Sequence, residues 1–118
     1  MIYVAVYGTL KKGFRNHHFL SNQNSHFLRK DHTGQGYALF VEDLPFLSKR
    51  EDGKGCEIEI YQIDDQTLES LDYLEGHPDF YRRQVLKMEN GFPIWIYVSN
   101  VYDFSKVPIE ASIDSYQE

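Results

Sequence analysis

The side chain best suited to acid/base chemistry in this sequence is Glu75, a carboxylate near the end of a predicted helix. Successive helical residues are about 100° apart, so with Leu68 at 0° Leu71 lies near ~300° and Glu75 near ~340°. This register puts Glu75 in the middle of the apolar face. Burial and the negative end of the helix macrodipole both disfavour a charged carboxylate there. The pattern predicts a raised pKa, which suits a general acid/base near neutral pH.

Two alternatives to this interpretation of Glu75 stay open at the level of sequence. A helical register drawn through Leu71 and Leu74 moves Glu75 towards the edge of the apolar face. If the helix frays at Leu74, the Glu75 side chain simply reaches water, since helix ends are uncertain by one or two residues. Asp72 is a rival carboxylate on the same helix, with pairing to a nearby base as its structural explanation.

A second candidate for chemistry is the loop Tyr7-Gly8-Thr9-Leu10-Lys11-Lys12-Gly13, which follows a predicted buried strand. Glycine permits close backbone approach, so successive N–H groups can point at a carboxylate or a developing oxyanion. The loop is not a nucleotide-binding motif, because Phe14-Arg15 stands where a Walker motif requires Lys-Ser/Thr. Taken alone, the same glycines also fit an ordinary tight turn.

Other common catalytic arrangements are missing from the sequence. The five histidines have no zinc-helix spacing and no cysteine pair accompanies them. Cys56 lies on a predicted inward strand face, which favours a core role over a nucleophile. No Gly-x-Ser-x-Gly motif is present. We therefore expect no metal and no cofactor.

The elements that must position these residues follow from hydrophobic patterning and turn signals. The run from Ile2 to Tyr7 predicts a central strand covered on both faces. Asp64 or Asp65 caps a helix to about Glu75 that Gly76 and Pro78 close. The other predicted elements are a short helical turn from Asn16 to Leu20, an irregular stretch from Ser21 to Thr33, a strand from Gly36 to Val41 ended by a Pro45 break, a half-solvated strand from Cys56 to Ile63 with Glu57 and Glu59 outward, and a hairpin of Phe80–Met88 and Phe92–Ser99 joined by Asn90-Gly91. Together they predict an α+β fold.

Length and composition narrow the function classes. The chain has 118 residues, which predicts a single domain over 1–118. A net charge of −6 argues against nucleic acid or an anionic membrane surface as the main partner. The single cysteine fits a reducing compartment, and Met1 to Leu10 lacks the features of a signal peptide. We expect a cytoplasmic protein, whose oligomeric state the sequence does not specify.

Two motifs, in this order along the chain, resemble those of the gamma-glutamyl cyclotransferase-like superfamily. The first is a strand ending in Tyr-Gly-Thr-Leu-Lys-Lys-Gly, with Asn16 and His17 shortly after. The second is Leu71-Asp72-Tyr73-Leu74-Glu75-Gly76, followed by Pro78 and Tyr81-Arg82-Arg83. The branch most similar to this sequence is gamma-glutamylamine cyclotransferase. The carboxyl-terminal region corresponds only at Asp114-Ser115-Tyr116, so the amine that the substrate releases stays open.

The resemblance implies a fold, a site and an activity. The fold would be a small mixed β-barrel with flanking helices. The backbone of Tyr7, Gly8, Thr9 and Leu10 would bind a small γ-glutamyl substrate, and Glu75 would act as general acid/base. The implied reaction releases 5-oxoproline and a free amine. Cyclotransfer on another γ-glutamyl metabolite and a non-catalytic module that binds a small acyl ligand are the alternatives.

Overall fold

The computed structural model describes residues 1–118 as seven strands and one α-helix. Five strands form a mixed sheet in the order β2-β5-β1-β7-β6, and β3 and β4 form a separate hairpin. The strands are β1 Ile2–Val6, β2 His26–His32, β3 Tyr37–Glu42, β4 Leu44–Lys49, β5 Glu57–Ile63, β6 Tyr81–Glu89 and β7 Phe92–Ser99, with helix α1 Asp65–Glu75 between β5 and β6. The predicted α+β class with a mixed sheet is confirmed.

Strand β1 is the centre of the sheet, as its uninterrupted apolar sequence predicts. It pairs antiparallel with β5 and parallel with β7. Side chains alternate between two core clusters: Tyr3 and Ala5 belong to one, Val4 and Val6 to the other. Because both faces are covered, the end of β1 is held on every side. This position makes the loop after β1 a firmly supported place for a site.

The five-stranded sheet curls until its two edge strands meet through side chains. Arg29 on β2 forms an ion pair with Glu89 on β6 at 2.5 Å, and Lys87 on β6 pairs with Asp31 on β2 at 2.8 Å. No backbone ladder joins β2 to β6. Backbone hydrogen bonds therefore do not close the sheet into the expected barrel, and charged side chains bridge its two edge strands.

Helix α1 begins and ends where the sequence predicts. The Asp64 side chain accepts a hydrogen bond from the Thr67 N–H at 2.8 Å, which caps the first turn. Gly76 adopts a left-handed conformation with φ of 66°, the usual way for a helix to stop. The structure contains no helix with the length and apolar character needed to cross a bilayer.

Three predicted local features are wrong. The stretch from Ser21 to Thr33 is not irregular but contains β2, an exposed edge strand whose register shifts between Phe27 and Arg29. Such an edge has no strong apolar alternation to reveal it. Pro45 does not end the strand region, since Leu44–Lys49 forms β4, paired along its whole length with β3.

The third correction concerns β5, which is not half-solvated. Glu57 is partly buried, and Glu59 is buried with 4% of its surface exposed. The Glu59 carboxylate accepts hydrogen bonds from the Lys12 N–H and the Tyr61 hydroxyl, so it is tolerated inside the protein. Asn16 does precede a short 3-10 turn, His17–Leu20, but its side chain does not cap that turn.

Candidate active site

A cavity of about 160 Å³ lies where the loop after β1 meets the end of α1. An apolar cavity of ~150 Å³ can hold a molecule the size of benzene, so this space can hold a compact small molecule or one end of a longer one. All five residues that the sequence singles out for the site line it. The lining residues are Ala5, Val6, Tyr7, Gly8, Thr9, Leu10, Asn16, Leu44, Pro45, Leu74, Glu75, Phe80, Tyr81 and Tyr97.

Three backbone carbonyls of the loop after β1 already have partners within the protein. Each of the three accepts a hydrogen bond from a residue slightly further along the chain, which folds the loop into a compact turn. The pairs are Gly8 O with Lys11 N at 3.0 Å, Thr9 O with Asn16 N at 2.9 Å, and Leu10 O with His17 Nδ1 at 3.0 Å.

Four amide N–H groups of the same loop, unlike these carbonyls, have no hydrogen-bond partners in the protein. The N–H groups of Tyr7, Gly8, Thr9 and Leu10 donate to no acceptor in the protein. Backbone N–H groups are nearly always paired when water is excluded, so four consecutive cavity-lining residues with unpaired donors have hydrogen-bonding capacity left for a ligand. The loop therefore has unpaired donors at four successive residues, whereas the carbonyls of Gly8, Thr9 and Leu10 are already occupied.

Gly8 is required at its position by space. A Cβ atom built on Gly8 would run into the ring of Pro45 on β4. Pro45 is itself fixed, because its carbonyl accepts a hydrogen bond from the Tyr81 hydroxyl at 2.6 Å. The β3–β4 hairpin thus presses directly on the amide-bearing loop.

The far side of the loop is anchored by residues that sequence reasoning missed. The buried Glu59 carboxylate accepts a hydrogen bond from the Lys12 N–H at 2.9 Å. The Lys11 ammonium donates a hydrogen bond to the Ser115 hydroxyl at 3.3 Å. Arg15 forms an ion pair with Glu118 at 2.7 Å. Only the alternating glutamates of β5 gave any signal for this role, and that pattern indicated a solvated face instead.

Glu75 faces the cavity as the last residue of α1. Its side chain is partly buried, and its carboxylate has no hydrogen bond or ion pair within the protein. Burial raises the pKa of Glu75 from 4.5 to about 7, because the charged form loses solvation without gaining a partner. The group can therefore both hold and release a proton near neutral pH.

Asp72, the rival carboxylate, is neutralised by its neighbours. Arg83 donates to both of its oxygens, at 2.7 and 3.0 Å, and the Tyr97 hydroxyl donates at 2.7 Å. Burial acts to raise the pKa of Asp72, but the hydrogen bonds from Arg83 and Tyr97 outweigh it and leave that pKa below its ordinary value. Asp72 is held as a charged structural partner and does not line the cavity.

Three tyrosines at the cavity have their hydroxyl protons committed to the protein. Tyr7 donates to the Tyr97 carbonyl at 2.8 Å, while Tyr81 and Tyr97 donate to Pro45 and Asp72 as described. Burial raises the pKa of each of the three phenols. They build the wall of the site, and a single sequence gives no pattern that brings them together.

Cys56 and the histidines do not form a second centre. Burial raises the pKa of the Cys56 thiol to about 12, so the predicted core role of this residue agrees with its complete burial. No group of three or more His, Cys, Asp or Glu side chains is arranged to hold a metal ion.

Comparison with known proteins identifies the family. The model of the family described as "Gamma-glutamyl cyclotransferase, AIG2-like" matches residues 4–116. A relative from Methanocaldococcus jannaschii is 41% identical over 102 residues, which cover 82% of this chain and 83% of that protein. Gamma-glutamylaminecyclotransferase C of Danio rerio is 38% identical, with 92% of this chain and 77% of the relative covered.

A solved structure agrees with the sequence matches. The crystal structure of an AIG2-like protein from Mus musculus superimposes with a TM-score of 0.78 and 28% identity, over 97% of this chain and 88% of the mouse protein. Fold and sequence therefore lead to one conclusion: this chain belongs to the gamma-glutamyl cyclotransferase, AIG2-like family, a family of enzymes of the cyclotransferase type.

Proposed function

We propose that this protein is a γ-glutamylamine cyclotransferase that converts its substrate into 5-oxoproline and a free amine, with Glu75 as general acid/base. One observation carries the proposal: Glu75, with its unpaired carboxylate, and four residues with unpaired backbone amides line the same small cavity. The amides of Tyr7, Gly8, Thr9 and Leu10 are the proposed binding groups for the substrate.

The free polar groups of the cavity are complementary to a γ-glutamyl group. Its α-carboxylate and γ-carbonyl oxygen accept hydrogen bonds, and the four amides supply donors for both. Its α-ammonium donates hydrogen bonds and protons, and Glu75 accepts them. The named Danio rerio relative and the family description support the same class of substrate.

The first chemical step activates the nucleophile. The Glu75 carboxylate takes a proton from the α-ammonium, and the resulting neutral amine attacks the γ-carbonyl carbon. A carbon–nitrogen bond forms while the carbonyl π electrons move onto the oxygen. The loop amides stabilise the oxyanion, an interaction that is strongest in the transition state.

The second step breaks the original amide. The protonated Glu75 hands its proton to the departing nitrogen, and the bond between that nitrogen and the γ-carbon breaks as the carbonyl reforms. The Glu75 carboxylate then takes the second proton from the α-nitrogen and passes it to the released amine or to water. The reaction needs no external reactant, because a confined cavity folds the substrate so that its own amine meets its own carbonyl.

The decisive experiment incubates the protein with a panel of γ-glutamyl compounds and measures 5-oxoproline by chromatography. The panel contains γ-glutamylamines and γ-glutamyl-amino acids. We expect release from γ-glutamylamines, with turnover about 10²- to 10⁴-fold lower in Glu75→Gln, the usual contribution of a positioned acid/base. Glu69→Gln, an exposed substitution on the same helix, is the control and should keep full activity.

Each alternative function has its own outcome in this experiment. Release only from γ-glutamyl-amino acids or another γ-glutamyl metabolite would replace the proposed substrate while keeping the reaction. Binding of 5-oxoproline without any turnover across the panel would identify a non-catalytic binding module. Full activity of Glu75→Gln would exclude Glu75 as the acid/base.

A further inference from the structure

Thr9 and Asn16 form a side-chain pair at the cavity that the proposed chemistry does not use. Both residues line the cavity. The Asn16 Nδ2 group donates to the Thr9 Oγ1 atom at 2.9 Å, and the Asn16 main-chain N–H donates to the Thr9 carbonyl at 2.9 Å. Two hydrogen bonds between the same two residues fix their relative orientation.

The Thr9 hydroxyl is the only hydroxyl lining the cavity whose proton is free. Its oxygen accepts from Asn16, and its own hydrogen has no acceptor in the protein. The hydroxyls of Tyr7, Tyr81 and Tyr97 all donate to protein groups instead. A ligand in the cavity can therefore receive a hydroxyl hydrogen bond only from Thr9.

Asn16 supplies the matching acceptor. One N–H of its Nδ2 group donates to Thr9, which fixes the orientation of the carboxamide, and no donor in the protein uses its Oδ1 atom. A carboxamide has one donor end and one acceptor end, so the bond to Thr9 determines which end is available. The unpaired groups of the pair thus include a hydroxyl donor, Thr9 Oγ1–H, and a neutral acceptor, Asn16 Oδ1.

We propose that this pair recognises the amino-acid end of the substrate: Thr9 Oγ1–H donates to the α-carboxylate, and Asn16 Oδ1 accepts from the α-amine. This inference rests on the proposed function, because it assigns contacts within the same γ-glutamyl site. A neutral acceptor is suited to the amine, since it orients the nitrogen lone pair without holding its proton. Asn16 is thereby a specificity-determining residue as well as a positioning residue for Thr9.

The test compares two ligands that differ only in the carboxylate. 5-Oxoproline carries it, whereas 2-pyrrolidinone is the same ring without it. We expect Thr9→Val to weaken 5-oxoproline binding by about 10- to 100-fold, the range for a lost hydrogen bond to a charged group, and to weaken 2-pyrrolidinone binding far less, since that ligand has no carboxylate to lose the contact. Thr9→Ser, which keeps the hydroxyl, should restore 5-oxoproline affinity. Equal losses for both ligands, or no rescue by serine, would overturn the proposal.

The amine contact is tested with substrate analogues. An N-alkyl glutaramic acid keeps the carboxylate but lacks the α-amine, so it binds without reacting. We expect a 4-aminobutyramide, which keeps the amine but lacks the carboxylate, to lose affinity in Asn16→Leu, whereas Thr9→Ser, which keeps the hydroxyl that orients Asn16, leaves its affinity unchanged. Unchanged 4-aminobutyramide affinity in Asn16→Leu would refute the proposed contact between Asn16 and the amine. If Thr9→Val fails to fold, the comparison of Asn16→Leu with Thr9→Ser still decides.

These binding measurements need no turnover, so they are separable from the proposed function. Suppose that the protein releases no 5-oxoproline from any substrate, but that its preference for 5-oxoproline over 2-pyrrolidinone depends on Thr9. That result would retain this inference and reject the cyclotransferase. If the protein does turn over its substrate, but Thr9→Val has the same preference for 5-oxoproline over 2-pyrrolidinone as the wild type, this inference alone is rejected.

Discussion

Glu75 and Asp72 lie one turn apart on α1, yet only Asp72 has protein partners. Arg83 and Tyr97 hold the Asp72 carboxylate charged, whereas the Glu75 carboxylate has no partner and burial raises its pKa to about 7. When two neighbouring carboxylates have different surroundings, their pKa values differ, and proteins commonly use such a pair for two different roles. Here one carboxylate holds the helix in place and the other is available to move a proton.

The raised pKa of Glu75 predicts the pH dependence of the reaction. As general base Glu75 must be ionised, so kcat/KM should rise as the pH passes through about 7. The profile is measured with a fixed γ-glutamylamine from pH 5 to 9. If Asp72 were the base, its lowered pKa would leave the rate independent of Glu75 ionisation, and a flat profile between pH 6 and 8 would contradict the assignment.

The same pKa predicts that Glu75 costs stability. The folded protein holds this proton up to about pH 7, whereas the unfolded chain releases it near pH 4.5. Stability therefore falls as the pH rises through this window, by at most about 3 kcal/mol. Glu75→Gln should be more stable than the wild type at pH 8, and the gain should shrink below about pH 5.

Chemical denaturation at the two pH values measures this difference. Glu69→Gln is the matched control, because the exposed Glu69 on the same helix carries no comparable burial cost. A gain in Glu75→Gln that is the same at pH 5 and pH 8 would mean that proton release by Glu75 is not its cause.

Asp72 should contribute stability with the opposite pH dependence. In Asp72→Asn the Arg83 guanidinium loses its charged partner. Because only 18% of the Arg83 side chain is exposed, water replaces that partner poorly. Losing charge-assisted hydrogen bonds of this kind costs about 1 to 3 kcal/mol. Since the Asp72 pKa is lowered on folding, its contribution is present above the unfolded value of 3.8 and is lost as the pH falls further.

Denaturation of Asp72→Asn at pH 7 and pH 3 checks this expectation. Tyr97→Phe, which removes one donor but keeps the ion pair, should cost less than Asp72→Asn at pH 7. A destabilisation of Asp72→Asn as large at pH 3 as at pH 7 would show that the ion pair is not its source.

Sequence patterns predict the parts of this fold that carry their own local signals. The capping Asp64 and the left-handed Gly76 delimit α1 as expected. The Asn90-Gly91 turn joins β6 to β7, with both residues at positive φ, 51° and 84°, as a two-residue hairpin requires. These features depend on residues adjacent in the chain, so a single sequence suffices.

The missed strands depend on partners distant in the chain. Strand β2 carries Phe27, half exposed at 50%, and its partner β5 lies far along the sequence. Strand β4 contains Pro45 and follows a turn at Asp43, whose φ of 56° is rare for a residue other than glycine. Tertiary pairing overrides local preference at both places.

The candidate site also combines features that local sequence predicts with features that depend on residues distant in the chain. A carboxylate on an apolar helix face and a glycine after a buried strand both appear in the sequence, so Glu75 and the loop from Tyr7 to Leu10 could be predicted as candidates. The buried Glu59 that holds the loop could not, because alternating glutamates on a strand are typical of a solvated face. Its partner Lys12 becomes a neighbour only through the pairing of β1 with β5.

The contact between Gly8 and Pro45 predicts a substitution that can be rescued. In Gly8→Ala the added Cβ collides with the Pro45 ring, so the loop must move away from β4 and its four amides lose their alignment. We expect 5-oxoproline affinity to fall by about tenfold or more, equivalent to one or two hydrogen bonds. Calorimetric titration with 5-oxoproline measures the loss.

Replacing the proline separates this steric cause from a need for glycine flexibility. In Gly8→Ala with Pro45→Ala the colliding Cγ atom is gone, whereas the alanine Cβ stays near the Pro45 Cβ position, at a separation of 3.3 Å that a small shift accommodates. The Pro45 carbonyl that receives the Tyr81 hydroxyl is part of the backbone and persists in Pro45→Ala. We therefore expect the double variant to recover most of the lost affinity. A double variant as weak as Gly8→Ala would mean that contact with β4 does not set the position of the loop.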